Sequence, residues 1–167
     1  KILFYLEGID VGDFLPGVNR NHRQIYEKMI RKTQLDKLRN YGYTIIVVDW
    51  MNSRLDIKTN AAFFENMLDY YKCQQIVSGT DTGTHEQFVV IGESMGGLVA
   101  RYALCEMEDL ASKSSLGGCL PEKIHNTRLL ITFDTPHEGA NVPLAYQHIF
   151  RDAGKYLLGV NTVTQSL

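Results

Sequence analysis

A mostly parallel α/β sheet flanked by helices is the fold class this sequence predicts, and two observations predict it. Four short apolar runs rich in β-branched and aromatic residues recur along the 167 residues, and each reads as a strand buried on both faces. Segments of helical period separate them, and strands that alternate with helices assemble into a parallel sheet.

The first run is Ile2 to Leu6. The connection after it, Gln24 to Asn40, sets Tyr26, Met29, Ile30 and Thr33 on one helical face and ends before Tyr41-Gly42, where the glycine stops the helix. A second run, Thr44 to Val48, follows directly. Next, Phe64, Met67, Leu68 and Tyr71 fall at i, i+3, i+4 and i+7 of a helix, and Ser78 to Thr84 is a polar loop returning the chain to the third run, Phe88 to Ile91. Leu98, Tyr102 and Cys105 mark the apolar face of another helix, and Asp109 to Asn126, with Gly117-Gly118 and Pro121, reads as a longer irregular connection to the fourth run, Leu129 to Phe133. Beyond Pro143, the residues Leu144, Ala145, His148 and Ile149 suggest one more amphipathic helix. Its apolar face is either core or the underside of a lid, so residues 142–167 are a candidate lid or cap.

Length and an apolar content of 44% suit a single domain, 1–167. A net charge of -2 and a pI near 6.2 argue against nucleic acid as a partner, because no basic stripe is available to meet phosphates. No apolar run approaches the length of about 18 residues that a membrane span needs. Cys73, Cys105 and Cys119 are too few and too scattered for a disulfide framework, and none sits in a Cys-x-x-Cys pair. No metal or cofactor is expected. Lys1 stands where a Met would open a chain and the first strand begins at once, so the sequence reads as a piece of something longer.

One segment carries chemistry. Gly92-Glu93-Ser94-Met95-Gly96 has the Gly-x-Ser-x-Gly spacing, with the strand Gln87 to Ile91 before it and the helix-compatible run Gly97 to Leu104 after it. A serine hydroxyl is a weak nucleophile at neutral pH and must be exposed, aimed and given a base. A strand-turn-helix context exposes and aims it, which makes Ser94 the candidate nucleophile. The N-terminus of the following helix offers unpaired N–H groups to an oxyanion, so the Met95 N–H is one expected donor. Ile9, on the loop after the first strand (Leu6-Glu7-Gly8-Ile9-Asp10), is the candidate for the second.

The segment Gly92 to Tyr102 resembles the nucleophile segment of α/β-hydrolase lipases and esterases. After the fourth run, Asp134-Thr135-Pro136-His137-Glu138-Gly139-Ala140 is similar to the Thr-Pro-His-x-Gly segment of many such lipases, and Tyr41-Gly42-Tyr43 leading into Ile45 to Asp49 resembles their approach to the strand before the elbow. Two positions depart from the pattern: Glu93 stands where many members have histidine, and Glu7-Gly8 where a His-Gly pair is common. Glu93 is either support for the turn or a residue tolerated beside it. The resemblance implies a spatial strand order of second, first, third, fourth, in a sheet truncated after the fourth strand. It also implies cleavage of carboxylic esters, lipid-like ones among them, through an acyl-enzyme on Ser94, and it favours an extracellular setting. Acyl transfer to an alcohol by the same serine, and a non-catalytic binding module on this fold, are the rival functions.

The implied triad runs in the order serine, acid, histidine, and that histidine is expected beyond Leu167. Within the chain, Asp134 holds a place that some lipases use for the acid, and otherwise serves the turn at Thr135-Pro136. His137 lies on the right side of the sheet for a base, although its counterpart usually shapes the floor of the site. His85 and His125 precede strands and fall at the wrong end of the sheet, His148 would need its helix to fold over the site, and His22 reads as a loop residue. Asp49 ends the second strand, where the resemblance implies an acid kept for structural reasons.

Overall fold

In the computed structural model the described residues are 1–9, 26–31, 34–50, 55–77, 87–113, 125–141, 143–145 and 148. They build a four-stranded, all-parallel sheet in the order β2-β1-β3-β4, from β1 (Ile2–Leu6), β2 (Thr44–Val48), β3 (Phe88–Glu93) and β4 (Thr127–Phe133). Helices α1 (Ile57–Val77) and α2 (Met95–Lys113) complete the α/β arrangement. Class and strand order are those expected from the sequence. The first two strands match their apolar runs end to end, while β3 continues to Glu93 and β4 begins at Thr127.

Alternation along β1 sends Phe4 and Leu6 to one face and Leu3 and Tyr5 to the other. Against the first face pack α1, through Ala61, Phe64 and Leu68, and α2, through Val99, Ala100, Ala103 and Leu104. Phe4 anchors this layer, edge-to-face with Phe64, Tyr71 and Phe88 at centroid distances of 5.7, 5.5 and 5.3 Å. Tyr26, Ile30, Leu35 and Leu38 pack on the second face. Right-handed crossovers require this division: the chain moves from β1 outward to β2 on one side, then reverses through β3 to β4 on the other. The reversal leaves a crevice at the carboxyl ends of β1 and β3, where an open α/β sheet places ligands.

Four readings of the sequence are corrected. The first connection is not one helix: a π-helical turn, Glu27–Arg31, and a 3-10 segment, Leu35–Tyr41, are separated by Gln34 in the left-handed region at φ 63°, and Gly42 at φ 81° ends the second piece as expected. The buried side of α2 is Met95, Val99, Ala100, Ala103, Leu104 and Met107; Leu98 and Tyr102 are half-buried and Cys105 is exposed. The small residues lie against the sheet because they let the helix axis approach it. This helix also continues to Lys113, since no Gly or Pro interrupts Asp109 to Lys113. Finally, β4 is not buried on both faces. It is an edge strand of the described sheet, and Leu129, Ile131 and Phe133 are 47%, 42% and 62% exposed.

Cys73 is disulfide-bonded, which its sequence spacing did not suggest, and Cys105 is a free thiol. Among the described residues no helix is long and apolar enough to cross a membrane. Of the candidate lid or cap, only residues 143–145 and 148 are described, with Leu144, Ala145 and His148 helical and exposed. The loop at 78–84 lies outside the described residues, as do residues 114–124.

Helix α1 opens on Asp56, whose carboxylate accepts the Thr59 N–H at 2.9 Å and the Thr59 hydroxyl at 2.8 Å. These bonds hold the Asp56 pKa below its ordinary value of 3.8. A depressed folded-state value means the stabilisation is present above the ordinary pKa and is lost as pH falls through the folded one. Asp56→Ala therefore lowers the melting temperature at neutral pH, and the gap to wild type closes as pH falls below 3.8 and through the lowered folded-state pKa. A gap independent of pH in paired thermal melts would contradict a capping carboxylate.

Candidate active site

Ser94 occupies the one turn residue between β3 and α2, at φ 50°. A non-glycine residue is strained there and persists only where its surroundings over-determine it. Those surroundings are visible. The Ser94 N–H donates to the Phe133 carbonyl at the end of β4 at 2.8 Å, and the Ser94 carbonyl accepts the Gly97 N–H at 3.1 Å. The turn is tight enough that a Cβ on Gly92 would lie 2.5 Å from Gly97 Cα, and one on Gly96 would meet the backbone carbonyls of Leu6 and Glu7 under 3.0 Å. Both motif glycines are thus required by backbone contact, one within the turn and one between α2 and the end of β1.

On the β1 side, Gly8 lies directly against the serine: a Cβ there would be 2.9 Å from Ser94 Cβ and 3.5 Å from Ser94 Oγ. The segment leaving β1 is pinned by the Glu7 N–H to the Val48 carbonyl at 3.1 Å and by the Trp50 indole N–H to the Glu7 carbonyl at 2.8 Å. Of the two oxyanion candidates, Ile9 is exposed and follows Gly8 in the chain, and Met95 follows the serine as the first residue of α2. First-turn N–H groups lack acceptors within their own helix.

Asp134 also sits beside the elbow. Glu93 and Phe133 are the last ladder pair of β3 and β4, and the next residues, Ser94 and Asp134, both turn into the left-handed region at φ 50° and 49°. His137 lies on the same edge but engages other groups. Its Nδ1 is 3.3 Å from the Arg101 guanidinium on α2 and its Nε2 is 3.1 Å from the Thr132 hydroxyl. A guanidinium only donates, so Nδ1 accepts and Nε2–H donates to Thr132. Among the described residues no histidine hydrogen-bonds to the Ser94 hydroxyl.

No protein-family model, curated protein or solved structure matches the chain. His125 stands at the amino end of β4, where its Nδ1 accepts the Thr127 N–H at 3.0 Å and its Nε2 lies 3.0 Å from Glu108. That is the end of the sheet away from Ser94, as its position before the strand implies. His22 and His85 lie outside the described residues. Asp49 directly follows β2 and is half-buried. Among the described residues no cluster of three His, Cys, Asp or Glu is placed to hold a metal ion.

Sequence reasoning missed Tyr5, Gly8 and Thr135. The Tyr5 hydroxyl donates to Glu93 Oε2 at 2.7 Å. Burial first, then the bond to Glu93 and the negative charges of Glu93 and Glu7, push the Tyr5 hydroxyl pKa well above its ordinary value, so it remains a donor. Thr135 closes the β4 side: its hydroxyl reaches the Gly92 and Phe133 carbonyls at 3.4 and 3.3 Å, filling the space a side chain on Gly97 would need. Gly8 had a signal in its place after an apolar strand, but the other two depend on strand register, which residues 88 or 43 apart in sequence do not reveal.

Proposed function

We propose that this chain carries the nucleophile of an α/β-hydrolase-like serine esterase whose substrates are carboxylic, lipid-like esters. The observation that carries the reading is Ser94 held at φ 50° at a strand-to-helix turn in the switch-point crevice. A left-handed backbone at Ser94, held by contacts from β4, α2 and the segment after β1, suits a side chain that must stand clear of the sheet.

In the proposed reaction Ser94 Oγ attacks the ester carbonyl, and the oxyanion forms at the N-terminus of α2 with Met95 and Ile9 N–H groups as donors. Collapse breaks the ester C–O bond, the departing alkoxide takes up the proton lost by the serine, and the acyl group stays on Oγ. Water then attacks the acyl-serine, releasing the acid and restoring the hydroxyl. Asp134 is the candidate acid. For His137 to act as base, its ring must exchange Arg101 and Thr132 for Ser94. The Cys73 disulfide supports an oxidising, extracytoplasmic setting.

The test is covalent labelling of the full-length protein with a fluorophosphonate, followed by mapping of the adduct. Modification of Ser94 that is absent in Ser94→Ala is the expected result. A folded protein without a serine adduct would instead favour a binding module that retains elbow geometry without reactivity.

A further inference from the structure

We propose that Tyr5 and Glu93 form a positioning pair that holds the elbow on its β1 side, an inference that rests on Ser94 being the nucleophile. The ladder between β1 and β3 ends at Leu6 and Gly92, so Glu93 and Ser94 project past the last residue pair on that side. Towards β4 the ladder runs one residue further, to Glu93 and Phe133, and the Ser94 N–H continues it onto the Phe133 carbonyl. The strand ladder therefore holds the elbow on its β4 side only.

Tyr5 supplies the other grip. It pairs with Ile91 in register, so its side chain stands on the same sheet face as Glu93, two residues on, and reaches that carboxylate diagonally. The bond is short at 2.7 Å, as expected for a hydroxyl donating to an ionised acceptor, and Tyr5 is buried among Leu3, Ile30, Ile45 and Val89. A rigid aromatic locked in a packed layer is a fixed post. Tying Glu93 to it fixes the residue whose carbonyl-side bond rotates into the strained Ser94. Gly8, against the Ser94 side chain, then receives the serine in one position.

A geometric role makes a specific pattern of reactivity. In the full-length protein, fluorophosphonate labelling of Ser94 is measured as maximal rate and half-saturating concentration for Tyr5→Phe, Glu93→Ala, Glu93→Gln and the Tyr5→Phe/Glu93→Ala double variant, with a thermal melt of each. Tyr5→Phe and Glu93→Ala are each expected to lower the maximal rate about tenfold with half-saturation unchanged. The double variant falls no further, and Glu93→Gln, whose amide oxygen still accepts the Tyr5 hydroxyl, keeps most of the rate. Wild-type labelling with Tyr5→Phe unchanged overturns the pair while leaving the nucleophile intact, as does a Glu93→Gln loss equal to that of Glu93→Ala. Absence of labelling in wild type overturns the nucleophile and the pair together.

Discussion

Ser94→Ala is expected to reduce the proposed ester hydrolysis by roughly 10⁴-fold or more, because in that reaction the acyl intermediate forms on Ser94. Ser94→Gly is expected to be equally inactive, and comparing the two separates chemistry from strain. At φ 50° alanine inherits the cost of the left-handed backbone, whereas glycine does not. Ser94→Gly should therefore be more stable than Ser94→Ala by about 1 kcal/mol in urea denaturation. Equal midpoints would mean that the elbow is unstrained. Stability gained only where activity is lost would be the signature of a conformation kept for its chemistry.

Gly96→Ala should be the most damaging small substitution near the site, lowering stability by about 3 kcal/mol. The added Cβ would meet the carbonyl oxygens of Leu6 and Glu7, which are backbone and cannot turn aside as a flexible side chain can. Relief requires α2 to lift from the end of β1, moving the Met95 N–H away from the serine, so activity should fall with stability. Gly42→Ala is the matched control. It has open space around it but a φ of 81°, so its cost is conformational and about 1 kcal/mol. Equal melting-temperature losses for the two variants would show that α2 does not depend on close approach at Gly96.

The sheet was legible in the sequence because its strands are local objects. A run such as Ile2 to Leu6 is apolar on both faces whichever strands lie beside it, and two of the four strands both begin and end where their runs do. Helix faces were less legible. Leu98, Tyr102 and Cys105 form an apolar stripe as plausible as the true one, and the sheet selects Val99, Ala100 and Ala103 because smaller side chains allow closer packing. Nor did apolar composition reveal that β4 would be an edge, since exposure follows from strand order rather than from Leu129 or Phe133 themselves.

At the site, the spacing of Gly92, Ser94 and Gly96 within a strand-turn-helix pattern by itself determined which serine stands at the turn, since such a turn demands glycine where backbones touch. The tertiary structure alone decided what surrounds it: Gly8 from β1 against the side chain, the Phe133 carbonyl on the serine N–H, Tyr5 on Glu93, and His137 drawn to Arg101 and Thr132. All of these contacts except the local His137–Thr132 bond join segments far apart in sequence. Their distances are set by sheet register and helix approach, and those are properties of the packed sheet that no single segment carries.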